Sequence, residues 1–297
     1  MDFNNLHIPK SNWFIAARSD QLGAGTTLKR RILGESYVFS RDARGRVLGR
    51  EEDGAHSNLR VVEQDDWIWV HLTLASDSTE GPPSYPRDPK FDWFELHNVM
   101  NVPLDLIVDN GVDCGHTGFV HPGLFRSKPQ QFVRATLTNT GHGVRIDTSD
   151  EQAKSGTKDF RSFFTRNQKV THYDEFIIPH TVYVEYATSD GFGAITILIC
   201  TPEDEQTTRV YTRMGVKYGR FFFFPATWFV KRLVEKIVAQ DKVVLEGQAD
   251  NIRRFGNRRF RTVTADLPTN WIQRTLRRET EGKPQATGEV REISYKL

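Results

Sequence analysis

Four polar side chains crowd residues 110–122. Asn110, Asp113, His116 and His121 are separated there mainly by small or apolar residues. Polar groups of this kind are rarely buried without a partner. Because residues three apart share one face of a helix, the spacing predicts that Asn110, Asp113 and His116 line one side of a helix.

The second histidine of this segment indicates where that helix ends. His121 follows His116 by five residues, about 140° further round an ideal helix, so one ion can meet both imidazoles only where the helix stops or loosens. Pro122 disfavours helical geometry in the residue before it. We therefore expect the helix to end near His121.

An acid interrupts the apolar face of a second predicted helix, over residues 226–255. Asp241 falls on that stripe, and an acid there must be paired with a base, protonated or bound to a metal. It either neutralises a buried arginine or binds an ion. Two imidazoles and one carboxylate are the donor set of mononuclear non-haem Fe(II) oxygenases. The apolar positions recur at helical spacing: Val230, Leu233, Val234, Ile237, Val238, Val244 and Leu245.

The two segments together resemble the catalytic α subunit of Rieske-type non-haem iron oxygenases, in particular the branch of O- and N-demethylating monooxygenases. The resemblance rests on Asn110-x2-Asp113-x2-His116-x4-His121 followed by Asp241. It implies that His116, His121 and Asp241 bind one Fe(II). It also implies that Asp113 carries an incoming electron and that Asn110 lies near the iron, although Asp113 could instead cap a helix.

The family pattern is broken in the N-terminal part. Family members bind a [2Fe-2S] cluster there through two Cys and two His, whereas residues 49–58 of this chain join the flanking strands directly. The chain has two cysteines, Cys114 and Cys200, and neither stands in a Cys-x-His or Cys-x2-His pattern. The sequence therefore excludes a Rieske cluster in this chain.

The resemblance implies an α+β, helix-grip catalytic domain made of an antiparallel sheet and a long C-terminal helix. We expect a truncated Rieske-domain remnant of short strands over residues 1–75, a proline-rich linker over 76–92 and the catalytic domain over 93–297. From Glu279 the tail is polar, and we expect poor order up to Val290. Strand-like segments lie at Phe132–Thr138, Gly143–Thr148, Lys169–Ile178, Thr181–Thr188, Gly193–Thr201 and Thr207–Val216.

Composition excludes several other classes of protein. The net charge is +2 and the basic residues are dispersed among acids, which argues against a nucleic-acid surface. No apolar run approaches the roughly 18 residues that a membrane span needs. Two cysteines without an evident partner suggest a reducing compartment, so we expect a cytoplasmic protein.

Aromatic residues near the histidines are candidates for a substrate pocket, although core packing explains them nearly as well. They are Phe119, Phe125, Phe163 and Phe164. We expect the remaining histidines to be hydrogen-bonded structural residues. They are His7, His56, His71, His97, His142, His172 and His180.

The expected function is that of an oxygenase component. It would use mononuclear Fe(II) and O2 to hydroxylate or demethylate a small, cyclic organic substrate. Because the chain has no cluster of its own, its electrons must come from a Rieske [2Fe-2S]-bearing subunit or reductase, and the family favours a trimeric or hetero-oligomeric ring. The alternative is a non-catalytic subunit or a ligand-binding protein that keeps the same cavity.

Overall fold

A nine-stranded antiparallel sheet forms the centre of the structure, a computed structural model that describes residues 8–54, 59–73, 80–122, 124, 132–149, 151–153, 168–189, 191–218, 226–256 and 261–296. In spatial order its strands are β15 (Thr287–Lys296), β8 (Phe132–Thr140), β9 (Gly143–Ser149), β11 (Gln168–Ile177), β12 (Thr181–Thr188), β13 (Gly193–Pro202), β14 (Thr208–Lys217) and β7 (Asp92–Met100), with β10 (Gln152–Ala153) paired to β11. The six strands predicted between residues 130 and 220 are all present. Strand β7, which forms one edge of the sheet, was not predicted from the sequence.

The N-terminal part consists of two three-stranded antiparallel sheets. One contains β1 (Trp13–Arg18), β6 (Trp67–His71) and β5 (Arg60–Gln64), and the other contains β2 (Thr27–Ile32), β3 (Glu35–Arg41) and β4 (Val47–Glu51). The amide of Leu59 donates to the carbonyl of Gly49 over 2.8 Å. This hydrogen bond joins β4 to the residue directly before β5.

Strand β13 joins the N-terminal part to the rest of the fold because both of its faces are buried. Its odd-numbered residues, such as Ile197 and Ile199, pack against Trp13, Ile15 and the tryptophans of β6. Its even-numbered residues face the helices, where Cys200 packs in the core. Burial on both faces explains why this strand reads as a continuous apolar run rather than an alternating one.

Four α-helices cover the other face of the sheet within the described residues. They are α1 (Leu104–Val112), α2 (Thr117–Val120), α3 (Ala226–Phe255) and α4 (Leu267–Thr280). Helix α3 has the predicted bounds, and its Val230 and Val234 pack against Phe94 and Met214 of the sheet edge. None of the described helices is long and apolar enough to cross a membrane.

Two expectations about local structure are wrong. The first helix ends at Val112 rather than running through His116, and a turn separates it from α2. The tail is ordered before Val290, because α4 extends to Thr280 and β15 begins at Thr287 and pairs with β8. Sequence reasoning missed α4, whose buried Trp271 and Leu276 pack into the core beside α1.

His180 is a hydrogen-bonded structural residue, as expected, and its Nε2 donates to the carbonyl of Trp13 over 2.8 Å. Burial lowers the pKa of His180 from the ordinary 6.5 to about 4, so the folded protein keeps the ring neutral while the unfolded chain protonates it. The stability contributed by the neutral ring is complete above pH 6.5 and is lost as the pH falls towards 4.

We therefore expect the free energy of unfolding to fall by about 2 kcal/mol more between pH 7 and pH 5 in the native protein than in the His180→Gln variant. Urea denaturation at a series of pH values measures this difference. His142→Gln, at an exposed site, is the matched control. Equal pH slopes in the native and His180→Gln proteins would contradict the assignment.

Candidate metal centre

A tight turn carries the chain from α1 into α2 and sets the direction of the first histidine. Asp113 ends α1, and its Oδ1 accepts the amide of Gly115 over 2.7 Å. The hydroxyl of Thr117 donates to the carbonyl of Cys114 over 2.8 Å. His116 directly precedes α2, and the turn therefore fixes the start of that helix.

The shortness of α2 brings both imidazoles to one place. His121 follows the last residue of the four-residue helix and has left helical geometry, with φ −116° and ψ 54°. The ring centroids of His116 and His121 lie 5.4 Å apart, and the rings are inclined at 78°. The prediction that the helix must end near His121 is confirmed.

The third donor comes from the middle of α3. Asp241 Oδ1 lies 3.0 Å from His121 Nε2 and 3.5 Å from His116 Nε2. One ligand atom from each of the three residues can be chosen so that all lie within 4.8 Å of one another. The structure thus brings together the three side chains that the sequence nominated as metal ligands.

The outer ring nitrogens of both histidines already have acceptors. His121 Nδ1 donates to Gln240 Oε1 over 3.0 Å, and His116 Nδ1 donates to the backbone carbonyl of Asp113. In the neutral rings this leaves both Nε2 lone pairs directed at a carboxylate oxygen, which is itself an acceptor. His121 Nε2 and Asp241 Oδ1 are buried, and while the ring is neutral neither atom has a hydrogen-bond donor to pair with.

Such a contact between acceptors needs a cation or a proton to hold it together. The pattern of an outer-nitrogen partner on each ring is typical of histidines that bind metals. Two imidazole nitrogens and a carboxylate oxygen also suit a ferrous ion. The residues present therefore fit a mononuclear metal.

The electrostatics of the centre keep Asp241 ionised. Burial alone raises its pKa, but the hydrogen bonds and charges of His116 and His121 outweigh burial and lower it. Burial lowers the pKa of His121, but the hydrogen bond and charge of Asp241 outweigh that effect and raise it. The alternative partner for Asp241, a buried arginine, does not occur among the described residues, where its ion pairs are with the two histidines.

The other candidate residues lie around this centre with different degrees of exposure. The Asp113 side chain is 47% exposed, and Asn110 is half-buried in the last turn of α1. Phe119 is 71% exposed, so the core-packing alternative does not hold for it, and its place in a pocket stays a prediction. Phe125, Phe163 and Phe164 lie outside the described residues.

Gln240 is a site residue whose role sequence reasoning missed. It occupies the position next to Asp241, and its amide oxygen orients His121 from outside the donor set. The only feature of the sequence that could have indicated this role is that Gln240 directly precedes Asp241. Gln240 does not belong to the apolar stripe, so helical periodicity does not single it out. Its hydrogen bond to His121 could be recognised only from the tertiary structure.

A known protein family matches the part of the chain that contains this centre. The model of the vanillate O-demethylase oxygenase C-terminal domain matches residues 100–281, which is more than half of the chain. The chain belongs to this family. Family members are the catalytic domains of Rieske-type oxygenases, so the chain is an oxidoreductase of the demethylase branch. The match includes His116, His121 and Asp241.

Solved structures share the fold of this family member over nearly its whole length. Dicamba monooxygenase bound to dicamba is 15% identical, with a TM-score of 0.71, and the match covers 93% of this chain and 98% of that one. NdmA of Pseudomonas putida CBB5 with caffeine is 15% identical, with a TM-score of 0.72, and the match covers 92% and 91%. At these identities the likeness shows the fold. No curated protein matches the sequence.

Replacing Gln240 by Leu should weaken metal binding because the amide that orients His121 is lost. Removal of such an outer partner costs about 10- to 100-fold in metal affinity. Anaerobic calorimetric titration with Fe(II) measures this change. Gln248→Leu, two turns along the same helix and half-buried, is the control. Equal affinities in the two variants would show that Gln240 does not support the centre.

Proposed function

We propose that the chain is the oxygenase component of a multi-protein system, using mononuclear Fe(II) and O2 to hydroxylate or demethylate a small, cyclic organic substrate. The observation that carries the proposal is the convergence of His116, His121 and Asp241 with both outer ring nitrogens already paired. The family supports oxygenase and demethylase chemistry.

In this proposal His116, His121 and Asp241 hold the iron. Bound there, Fe(II) would supply the redox chemistry that the reaction with O2 requires. Gln240 and the carbonyl of Asp113 hold the imidazoles in the tautomer that leaves each Nε2 free to bind. His121 is 1% exposed, and this burial limits the access of bulk water to the donor atoms.

We infer that the electrons come from another polypeptide. Both cysteines lie outside any cluster-binding pattern, yet Asp113 is retained and its carboxylate reaches the surface. Its backbone carbonyl contacts His116, so a donor that reaches Asp113 from outside is coupled to the metal centre by a short covalent and hydrogen-bonded route. The donor would present its Rieske cluster at Asp113, either in a trimeric or mixed ring or as a separate reductase.

This proposal includes the domain organisation. Residues 1–75 would be a cluster-less remnant of the Rieske domain, 76–92 a linker and 93–297 the catalytic domain. The hydrogen bond between Leu59 and Gly49 supports this view, because it closes the connection that carries the cluster-binding loops in relatives.

A non-catalytic subunit or ligand-binding protein is the second candidate, favoured by the missing cluster cysteines. The retained acid on the buried stripe of α3 speaks against it. A protein without metal chemistry has no need for a carboxylate between two imidazoles on an apolar stripe, since burying polar groups there is costly.

The purified chain should bind one iron and contain no acid-labile sulfide. It should consume no substrate with a nicotinamide donor alone and should turn over when a Rieske-bearing partner is added. Iron and sulfide analysis with a product assay measures this. A [2Fe-2S] absorption spectrum from the isolated chain would refute the proposal. Iron binding without turnover in the presence of competent partners would favour the second candidate.

Replacing Asp113 by Asn should leave the iron content unchanged but slow electron delivery, because the charge at the contact point is removed. We expect single-turnover rates with the partner to fall by about tenfold or more, equivalent to about 1.4 kcal/mol in the barrier. Asp250→Asn, an exposed acid near the end of α3, is the control. Equal rates in both variants would argue that electrons enter elsewhere.

A further inference from the structure

A second cluster of metal-binding side chains lies buried beside the turn that precedes α2. Cys114, His172 and Asp174 are 7%, 1% and 2% exposed. None of them belongs to the set formed by His116, His121 and Asp241. Sequence reasoning treated His172 as structural, and the family pattern assigns no role to Cys114.

The fold brings the three together from two elements. Residues His172 and Asp174 are two apart on β11, so they point to the same face of the sheet, in line with the buried Val170 and Phe176. Cys114 follows Asp113 in the turn after α1, and its sulfur contacts both side chains on that face. His172 and Asp174 thus place two polar side chains at inward positions of β11 that lie between the apolar Val170 and Phe176.

One ligand atom from each of the three residues lies within 4.8 Å of the others, close enough to share one ion. Cys114 Sγ lies 3.0 Å from Asp174 Oδ2 and 3.6 Å from His172 Nε2, and His172 Nε2 lies 3.1 Å from Asp174 Oδ1. Bonds of about 2.0–2.3 Å to a tetrahedral zinc ion place neighbouring ligand atoms roughly 3.3–3.6 Å apart. The separation between Cys114 and His172 already lies at this spacing, and the two separations to Asp174 are shorter, so a small outward shift of the Asp174 side chain accommodates an ion.

His172 repeats the arrangement found for His116 and His121. Its Nδ1 lies 3.0 Å from Glu151 Oε2, and its Nε2 is directed at a carboxylate oxygen. The ring also stacks on Tyr186 with a centroid separation of 4.0 Å. A histidine whose outer nitrogen is held by a carboxylate and whose ring is fixed by packing has the orientation typical of a metal ligand.

Protons are the alternative to a metal ion. In that case the Cys114 thiol and a charged His172 would each donate a hydrogen bond to Asp174, and His172 would also donate to Glu151. That arrangement uses the thiol as a donor, and thiols are weak hydrogen-bond donors. As a thiolate, the same sulfur is a strong ligand for zinc and similar ions. The presence of a cysteine in the cluster is thus better explained by a cation.

We propose that Cys114, His172 and Asp174 bind a divalent ion of the zinc class, separate from the iron centre, with Glu151 orienting His172. Cys114 stands between Asp113 and His116 in the sequence. An ion bound to its sulfur ties this turn to β11. Its role is structural: it fixes the segment that carries the electron-entry acid and the first iron ligand.

Anaerobic titration of the metal-free chain with Co(II) tests this directly, because a thiolate bound to Co(II) gives a near-ultraviolet charge-transfer band. We expect the band in the native chain and its loss in Cys114→Ala, with one cobalt fewer per chain. Cys200→Ala removes the other buried cysteine, which lies in an apolar cluster, and should keep the band. Glu151→Gln should weaken cobalt binding at this site about 10- to 100-fold.

The outcomes separate this site from the iron centre. Asp241→Asn should keep the charge-transfer band while losing the cobalt bound by the two histidines, so failure of either site is seen independently. Absence of the band in the native chain would overturn the proposal and would identify the cluster as a protonated hydrogen-bond network. Circular dichroism checks that each variant is folded. The presence or absence of the band in the native chain tests the proposal even if a variant does not fold.

Discussion

The close approach of His121 Nε2 to Asp241 Oδ1, at 3.0 Å, is the contact on which the arrangement around the centre depends. Both atoms are buried acceptors, and only a cation or a proton can make their proximity favourable. Helix α2 is short enough to present both imidazoles, and α3 lies across the sheet at the position that brings Asp241 to them. Because the Nδ1 atom of each ring already donates to another acceptor, neither neutral histidine can turn its N–H towards Asp241.

The same centre explains the unusual turn between α1 and α2. A continuous helix would direct His116 and His121 to different sides, since five residues do not complete a whole number of turns. Ending α2 at Val120 resolves this conflict for the two histidines, and the turn before Thr117 sets the direction of His116. The turn also leaves Asp113 at the surface and Cys114 in the interior. Consecutive residues thus lie in two environments, which correspond to the electron-entry point and the second metal site that we propose.

Packing gives a physical reason for keeping the N-terminal sheets without a cluster. The outer face of β13 carries isoleucines that pack on Trp13, Ile15 and the tryptophans of β6. Removing the N-terminal strands would expose this face to water, and burial of a single side chain of this size contributes about 1.5–3 kcal/mol. In the domain organisation that we propose, the loops that bind the cluster in relatives would lie beyond the hydrogen bond between Leu59 and Gly49, so their loss would leave this packing intact.

The sequence by itself determined the elements with strong periodicity and the identity of the three converging donors. Strand-like segments bounded by Gly, Asp, Asn or Pro specified the strands between residues 130 and 220, and the stripe of α3 specified both its bounds and the exceptional position of Asp241. It could not specify where α1 ends, the pairing of β7 or the packing of α4. These depend on contacts between residues far apart in the chain, such as Gln273 of α4 donating to Asp109 of α1 over 3.1 Å. Only the tertiary structure decided that Gln240 orients His121 and that His172 and Asp174 meet Cys114, because hydrogen bonds between elements have no period that a single sequence can reveal.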